Sequence, residues 1–132
     1  NGWETLMSVN ISGALQMYLS GGTNAKIDLT HGSVATLYTT PSVATFNFSI
    51  INSILVSDDS GSGDTLSVTI VDTADSPATF SLFKTKAVGA NATVEFLTND
   101  LILRSGEILK VQAANGGRLH VVASVLEFAQ WR

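Results

Sequence analysis

The chain has 132 residues and no cysteine; 45% of it is hydrophobic, only 14% is charged, and its formal net charge is −4. That length suits one domain able to bury roughly two-thirds of its unfolded surface, and the missing cysteines exclude disulfides and thiolate metal sites. An acidic balance with seven scattered basic residues, Lys84 and Lys86 being the closest pair, argues against a nucleic-acid partner, since phosphates demand clustered Lys and Arg.

No apolar run approaches the ~20 residues of a membrane-spanning helix, so no membrane partner is expected. The N-terminus lacks the basic-then-apolar plan of a signal peptide, and the first residue is Asn1 rather than Met, as in a processed chain or one taken from within a longer reading frame. Ser, Thr, Gly and Asn fill the place of charges, giving a neutral polar surface suited to packing against other proteins.

Along the chain, Trp3, Leu6, Met7 and Val9 make residues 1–10 an arm with enough apolar surface to need a partner. Leu15, Met17 and Leu19 alternate with Gln16 and Tyr18. Ser20 to Asn24 reads as a turn, and Lys26 to Leu29 as a short return, together a hairpin laid on a neighbour. We therefore divide the chain into an arm or hairpin at 1–30 and a β-sandwich domain at 31–132.

Val34 to Thr39 is a strand stopped at Pro41, which can donate no ladder hydrogen bond. Phe46, Phe48 and Ile50 alternate with Asn47 and Ser49, which predicts a strand with its aromatic residues on one face, continuing through Val56 across a bend at Asn52-Ser53. After an exposed turn at Asp58 to Asp64, Leu66, Val68 and Ile70 alternate with Ser67 and Thr69. Further strands are predicted around Phe80 to Lys84, Ala92 to Leu97 and Leu101 to Leu103.

Leu109, Val111 and Ala113 then alternate with Lys110 and Gln112, Asn115-Gly116-Gly117 supplies a tight turn, and Leu119 to Phe128 returns, which reads as a β-hairpin. The returning strand is apolar on both faces. Leu119, Val121, Ala123 and Val125 line one side, and Val122, Leu126 and Phe128 line the other, so it must be covered twice.

Chemistry is sparse. His31 and His120 lie far apart in sequence, and no local pattern gives His120 an acidic neighbour, so both read as structural or interface residues. The acidic run Asp58 to Asp64 fails as an EF-hand calcium loop, because the twelfth place falls on Thr69 inside a strand, and it reads as a solvated loop tip. Ser60 and Ser62 sit in that Gly-rich tip without a nucleophile elbow, and the glycine pairs connect strands instead of opening helices onto phosphates. Asn10, Asn47 and Asn91 match the glycosylation pattern by composition alone. No catalytic residue, cofactor site or metal site is assigned.

A strand ending in Tyr38-Thr39-Thr40-Pro41, the segment Ile50-Ile51-Asn52, the strand Leu66 to Val68, the spaced Leu103, Gly106, Glu107, Leu109 and Val111, and the closing His120, Ser124 and Glu127 resemble small β-sandwich virion proteins of tailed bacteriophages. Those include capsid decoration or cement proteins and tail accessory proteins. The resemblance covers about three-quarters of the chain and leaves the first thirty residues outside.

It implies an all-β fold, a single antiparallel β-sandwich, jelly-roll-like, with about eight or nine strands and an N-terminal arm. It also implies a non-enzymatic virion protein on the capsid surface, assembled in the host bacterial cytoplasm, whose partners are other copies in a homotrimer and the major capsid protein. The candidate interface residues are Trp3, Leu6, Met7, Tyr18, Val122, Leu126, Phe128 and Trp131. A tail or fibre accessory protein is the alternative, and a carbohydrate-binding adhesin domain, using Trp3 or Tyr18 as a stacking platform, is a further one.

Overall fold

The computed structural model describes the backbone of residues 9–11 and 15–130 and the side chains of residues 17–130. Period-two alternation becomes strands throughout. Among the described residues these are β1 (Val9–Ile11), β2 (Leu15–Asp28), β3 (Ala35–Thr39), β4 (Phe46–Asp58), β5 (Asp64–Asp72), β6 (Ala78–Val88), β7 (Thr93–Glu95), β8 (Leu101–Arg104), β9 (Glu107–Ala113) and β10 (Leu119–Gln130). They form two antiparallel sheets. The first runs β1-β2-β10-β4, with β7 and β8 both on the far edge of β4, and the second runs β3-β9-β5-β6.

From β2 to β6 the chain passes back and forth between the sheets, staying in one sheet only for the β5–β6 hairpin; β9 and β10 then thread into the middle of opposite sheets. This is the double Greek-key connectivity of a jelly-roll-like sandwich. The expected antiparallel sandwich is the observed fold.

The core lies between the sheets and follows the alternation. Leu66, Val68 and Ile70 of β5, Leu109, Val111 and Ala113 of β9, and Leu119, Val121, Ala123 and Val125 of β10 are all buried. Each fully buried Leu, Ile or Val side chain contributes about 1.5–3 kcal/mol, so the inner faces dominate stability. Thr36, Lys110, Thr69 and Ser81 form a polar cross-strand row on the opposite side of the second sheet, beside a mixed row of Thr39, Ile108, Val71 and Thr79.

Three sequence expectations are corrected. The hairpin read at Asn115-Gly116-Gly117 does not exist, because β9 and β10 belong to different sheets. The tight turn crosses the end of the sandwich instead. Gly117 donates its N–H to Leu29 O at 2.8 Å, Asn115 donates to Asp64 Oδ2 at 2.9 Å, and a Cβ on Gly116 would sit 2.4 Å from Thr30 O.

The turn expected at Ser20 to Asn24 is strand. Residues 15–28 form one strand hydrogen-bonded to β10 from Asp28 opposite His120 to Met17 opposite Gln130, with one irregularity at Glu127/Phe128 absorbing the extra residue. Gly21 and Gly22 thus serve a strand irregularity rather than a turn.

Finally, Phe46 and Phe48 do not share a face. A register shift at Phe128/Ala129 sets Phe46 opposite buried Ala129 and Phe48 opposite Phe128, so the two rings leave β4 on opposite sides.

Candidate functional site: the outer face of the first sheet

The alternation in β10 puts Val122, Ser124, Leu126 and Phe128 on the side away from the core, and direct pairing identifies their neighbours. Phe128 lies between Leu19 of β2 and Phe48 of β4, and Phe48 is in turn opposite Arg104 of β8. The next row is Gly22, Leu126, Ile50 and Ile102. The rings of Phe48 and Phe128 stack with centroids 4.9 Å apart and planes 17° from parallel.

Ile102 is 58% exposed and Leu55, opposite Val122, is 42% exposed. Leu19, Phe128, Phe48, Leu126, Ile50 and Ile102 make an apolar stripe across four strands, with Val122 and Leu55 beyond a polar row, and Phe48, Ile102 and Arg104 border an open depression of about 300 Å³ at its β8 end. Such a contiguous patch is informative where scattered apolar residues are not.

The middle row is polar and carries no charge. Asn24 and Ser53 flank Ser124, and Gly22, Thr23, Asn52 and Leu126 help to line a second open depression of about 580 Å³. It exists because glycine supplies no side chain at position 22 and because the register shift at Ser124/Val125 bulges β4 at Asn52-Ser53. Glu95 fills the bulge from β7. Its carboxylate accepts from the Ser53 hydroxyl, from Ile54 N at 2.8 Å and from Leu97 N at 3.1 Å. Partial burial opposes ionisation, but these hydrogen bonds outweigh it and hold the Glu95 carboxyl below the usual range.

Beneath the stripe, on the core side, Tyr38 of β3 reaches across the sandwich. Its hydroxyl donates to Glu127 Oε2 at 2.6 Å and hydrogen-bonds Ser49 Oγ at 2.7 Å. Glu127 lies between Leu126 and Phe128, and Ser49 between Phe48 and Ile50, so one hydroxyl ties together the two strands that carry the stripe. Burial, with the Glu127 acceptor next, raises the Tyr38 pKa well above that of an ordinary tyrosine.

The structure brings Val122, Leu126 and Phe128 together on this face. Tyr18 pairs with buried Ala129 and so points to the core side, away from them. Trp3, Leu6, Met7 and Trp131 lie outside the described residues. The sugar-stacking alternative placed on Trp3 thus falls outside the described residues, and Tyr18 is half-buried.

Sequence reading missed Leu19, Phe48, Ile50 and Ile102 as members of the face. Alternation alone marked Phe48 and Ile50 as sharing a side, but not which side. His120 does have an acidic neighbour, across the strands: its Nε2 lies 3.3 Å from Asp28 Oδ1, an exposed pair that contributes little. Asp58 is not a solvated tip residue but a buried carboxylate that organises its loop.

The architecture has counterparts among solved structures. A chain of the acidic stable capsid structure of Helicobacter pylori bacteriophage KHP30 matches with a TM-score of 0.52 at 12% identity, over 89% of this chain and 98% of that one. A pentameric capsid protein isolated from metagenomic phage sequences matches with a TM-score of 0.45 at 18% identity, over 80% of this chain and 61% of the other. The present chain thus spans about three-fifths of that protein's length. A chain in the structure of infectious bursal disease virus Gx strain gives a TM-score of 0.49 at 14% identity, covering 87% of this chain and 33% of that one. At 12% identity the likeness to the KHP30 chain shows a shared fold alone. No protein-family model matches the chain, and no curated protein matches it in sequence.

Proposed function

We propose that this chain is a non-enzymatic structural protein of a bacteriophage virion, and specifically a capsid decoration or cement protein. In this reading homotrimers sit on the capsid surface and bridge neighbouring copies of the major capsid protein, adding contact area that opposes internal genome pressure. The observation that carries the reading is the outer face of the first sheet. A sandwich whose core is already filled still leaves Ile102 exposed and Leu19, Phe48, Ile50, Leu126 and Phe128 only partly covered along one stripe, which suits a protein that completes its packing in an assembly.

A fold counterpart in a phage capsid structure supports it. The low charge fraction agrees with a surface largely covered by neighbours.

Immunogold electron microscopy of virions with antibody against the purified chain tests the proposal. Label spread evenly over the heads is expected. Label on tails would move the protein to the tail or fibre alternative, and particles without label would remove the virion role. Deleting residues 1–10 is expected to weaken attachment to capsids, measured by sedimentation with the particles, if the arm contributes as its Trp3, Leu6 and Met7 suggest.

A further inference from the structure

The outer stripe must meet something, and charge narrows the choice. The chain carries eleven acidic and seven basic residues. Among the described residues, three charged groups border the three rows, which run from Leu19, Phe128 and Phe48 through Gly22, Leu126, Ile50 and Ile102 to Asn24, Ser124 and Ser53: the cations of Arg104 and Lys26, and the Glu95 carboxylate, which is taken up by hydrogen bonds from Ser53, Ile54 N and Leu97 N. Two copies that approach through their acidic surfaces repel. An acidic surface of one copy can approach this face of another without repulsion and with a cation at its rim.

Area sets the form of the contact. Four strands at about 4.8 Å spacing and three rows at about 6.8 Å give a patch of roughly 400 Å². A standard stable interface buries about 800 Å² per partner, twice that. A twofold contact through this face alone would therefore be weak. A ring in which each copy presents the stripe to one neighbour and receives a neighbour's stripe elsewhere doubles the area each copy buries, and such head-to-tail contacts close into cyclic oligomers.

We propose that the outer face of the first sheet docks a second copy of this chain, head to tail, in a closed ring, with Ile102, Phe48 and Phe128 as its centre and Arg104 facing an acidic surface of the neighbour. This rests on the structural-protein reading above and names the partner of that face. It assigns the stripe to self-association and leaves the capsid contact to other surfaces.

The test is light scattering coupled to size-exclusion chromatography across a concentration series, on the wild type, Ile102→Asp and the milder Ile102→Ser. Thr36→Asp, in the polar row on the outer side of the second sheet, serves as control. Circular dichroism establishes that each variant is folded; Ile102 is on an edge strand and mostly exposed, so folding should survive. The wild type and Thr36→Asp should form the same closed oligomer. Ile102→Asp should raise the concentration at which it dissociates by about tenfold or more, and Ile102→Ser by less. A wild type that is monomeric throughout, or variants that associate as the wild type does, would overturn the proposal. The two results are distinguishable: labelled heads with a monomeric protein would sink the ring and the homotrimer while leaving the virion role, and an intact ring with unlabelled particles would sink the virion role alone.

Discussion

Asp58 ends β4 and, through one carboxylate, holds the loop that follows. Oδ1 accepts from Ser60 N at 3.0 Å and Ser60 Oγ at 2.6 Å, while Oδ2 accepts from Gly61 N at 3.0 Å, Gly63 N at 3.1 Å and Asn91 N at 3.0 Å. The Ser60 hydroxyl and the Asn91 amide lead in pulling its pKa well below the usual carboxylate range. A depressed folded-state pKa means that the stabilisation is complete above the unfolded value of about 3.9 and is lost as the pH falls through the folded value. Asp58→Asn should therefore lower Tm at neutral pH, and the gap to the wild type should narrow as the pH drops below about 4. A gap that stays constant down to acid-induced unfolding would refute this role. Tyr38 has the opposite sign. Its raised pKa makes its contribution complete below about pH 10 and lost above it, as the unfolded phenol ionises. Tyr38→Phe leaves Ser49 and Glu127 without their shared partner and should cost about 1–3 kcal/mol in urea unfolding at pH 7, with the difference shrinking in alkali.

At the scale of elements, the bulge of β4 and the broken far edge of its sheet are one feature. β7 and β8 pair with the two halves of β4, and Glu95 bonds Ile54 N and Leu97 N where neither strand does. Glu95→Ala should accelerate amide exchange at Ile54 and Leu97 while leaving the β10 amides protected; unchanged exchange at both sites would contradict the assignment. The turn between β9 and β10 is a second such feature, since it presses Gly116 onto the Thr30 and His31 backbone. Gly116→Ala must push that backbone away and should cost about 1–3 kcal/mol by urea denaturation. The strands themselves were legible, because Leu66, Val68 and Ile70, like Leu119 to Phe128, alternate as a half-buried surface demands. The pairing was not. Asn115-Gly116-Gly117 is compatible with a turn inside one sheet and with one between sheets, and only the neighbouring Leu29 and Thr30 make the second correct.

The whole molecule is a filled sandwich with unequal outer faces, the first sheet carrying the apolar stripe and the second a polar row of Thr36, Lys110, Thr69 and Ser81 beside the mixed row through Ile108 and Val71. That inequality has a thermodynamic signature if copies associate through the apolar face. Association that favours the folded state makes Tm rise with protein concentration, so scanning calorimetry of the wild type should show that rise and Ile102→Asp should show it only at concentrations about tenfold higher or more. Alternation placed Val122, Leu126 and Phe128 on the side of β10 away from the core, and β2, β4 and β8 supplied the rest of that face. Alternation is a local consequence of the two-residue period of a strand, so composition and order alone determined that the chain is all-β and that β10 has two apolar sides. Which side meets the core, which strands stand beside it and where β4 slips by one residue depend on contacts between residues distant in sequence. Phe48 and Ile50 reach the outer face because the register shift at Ser124/Val125 moves Ile51 and Ser49 to the core side, and the second shift at Phe128/Ala129 turns Phe46 away from Phe48; both are recorded only in the pairing of β4 with β10.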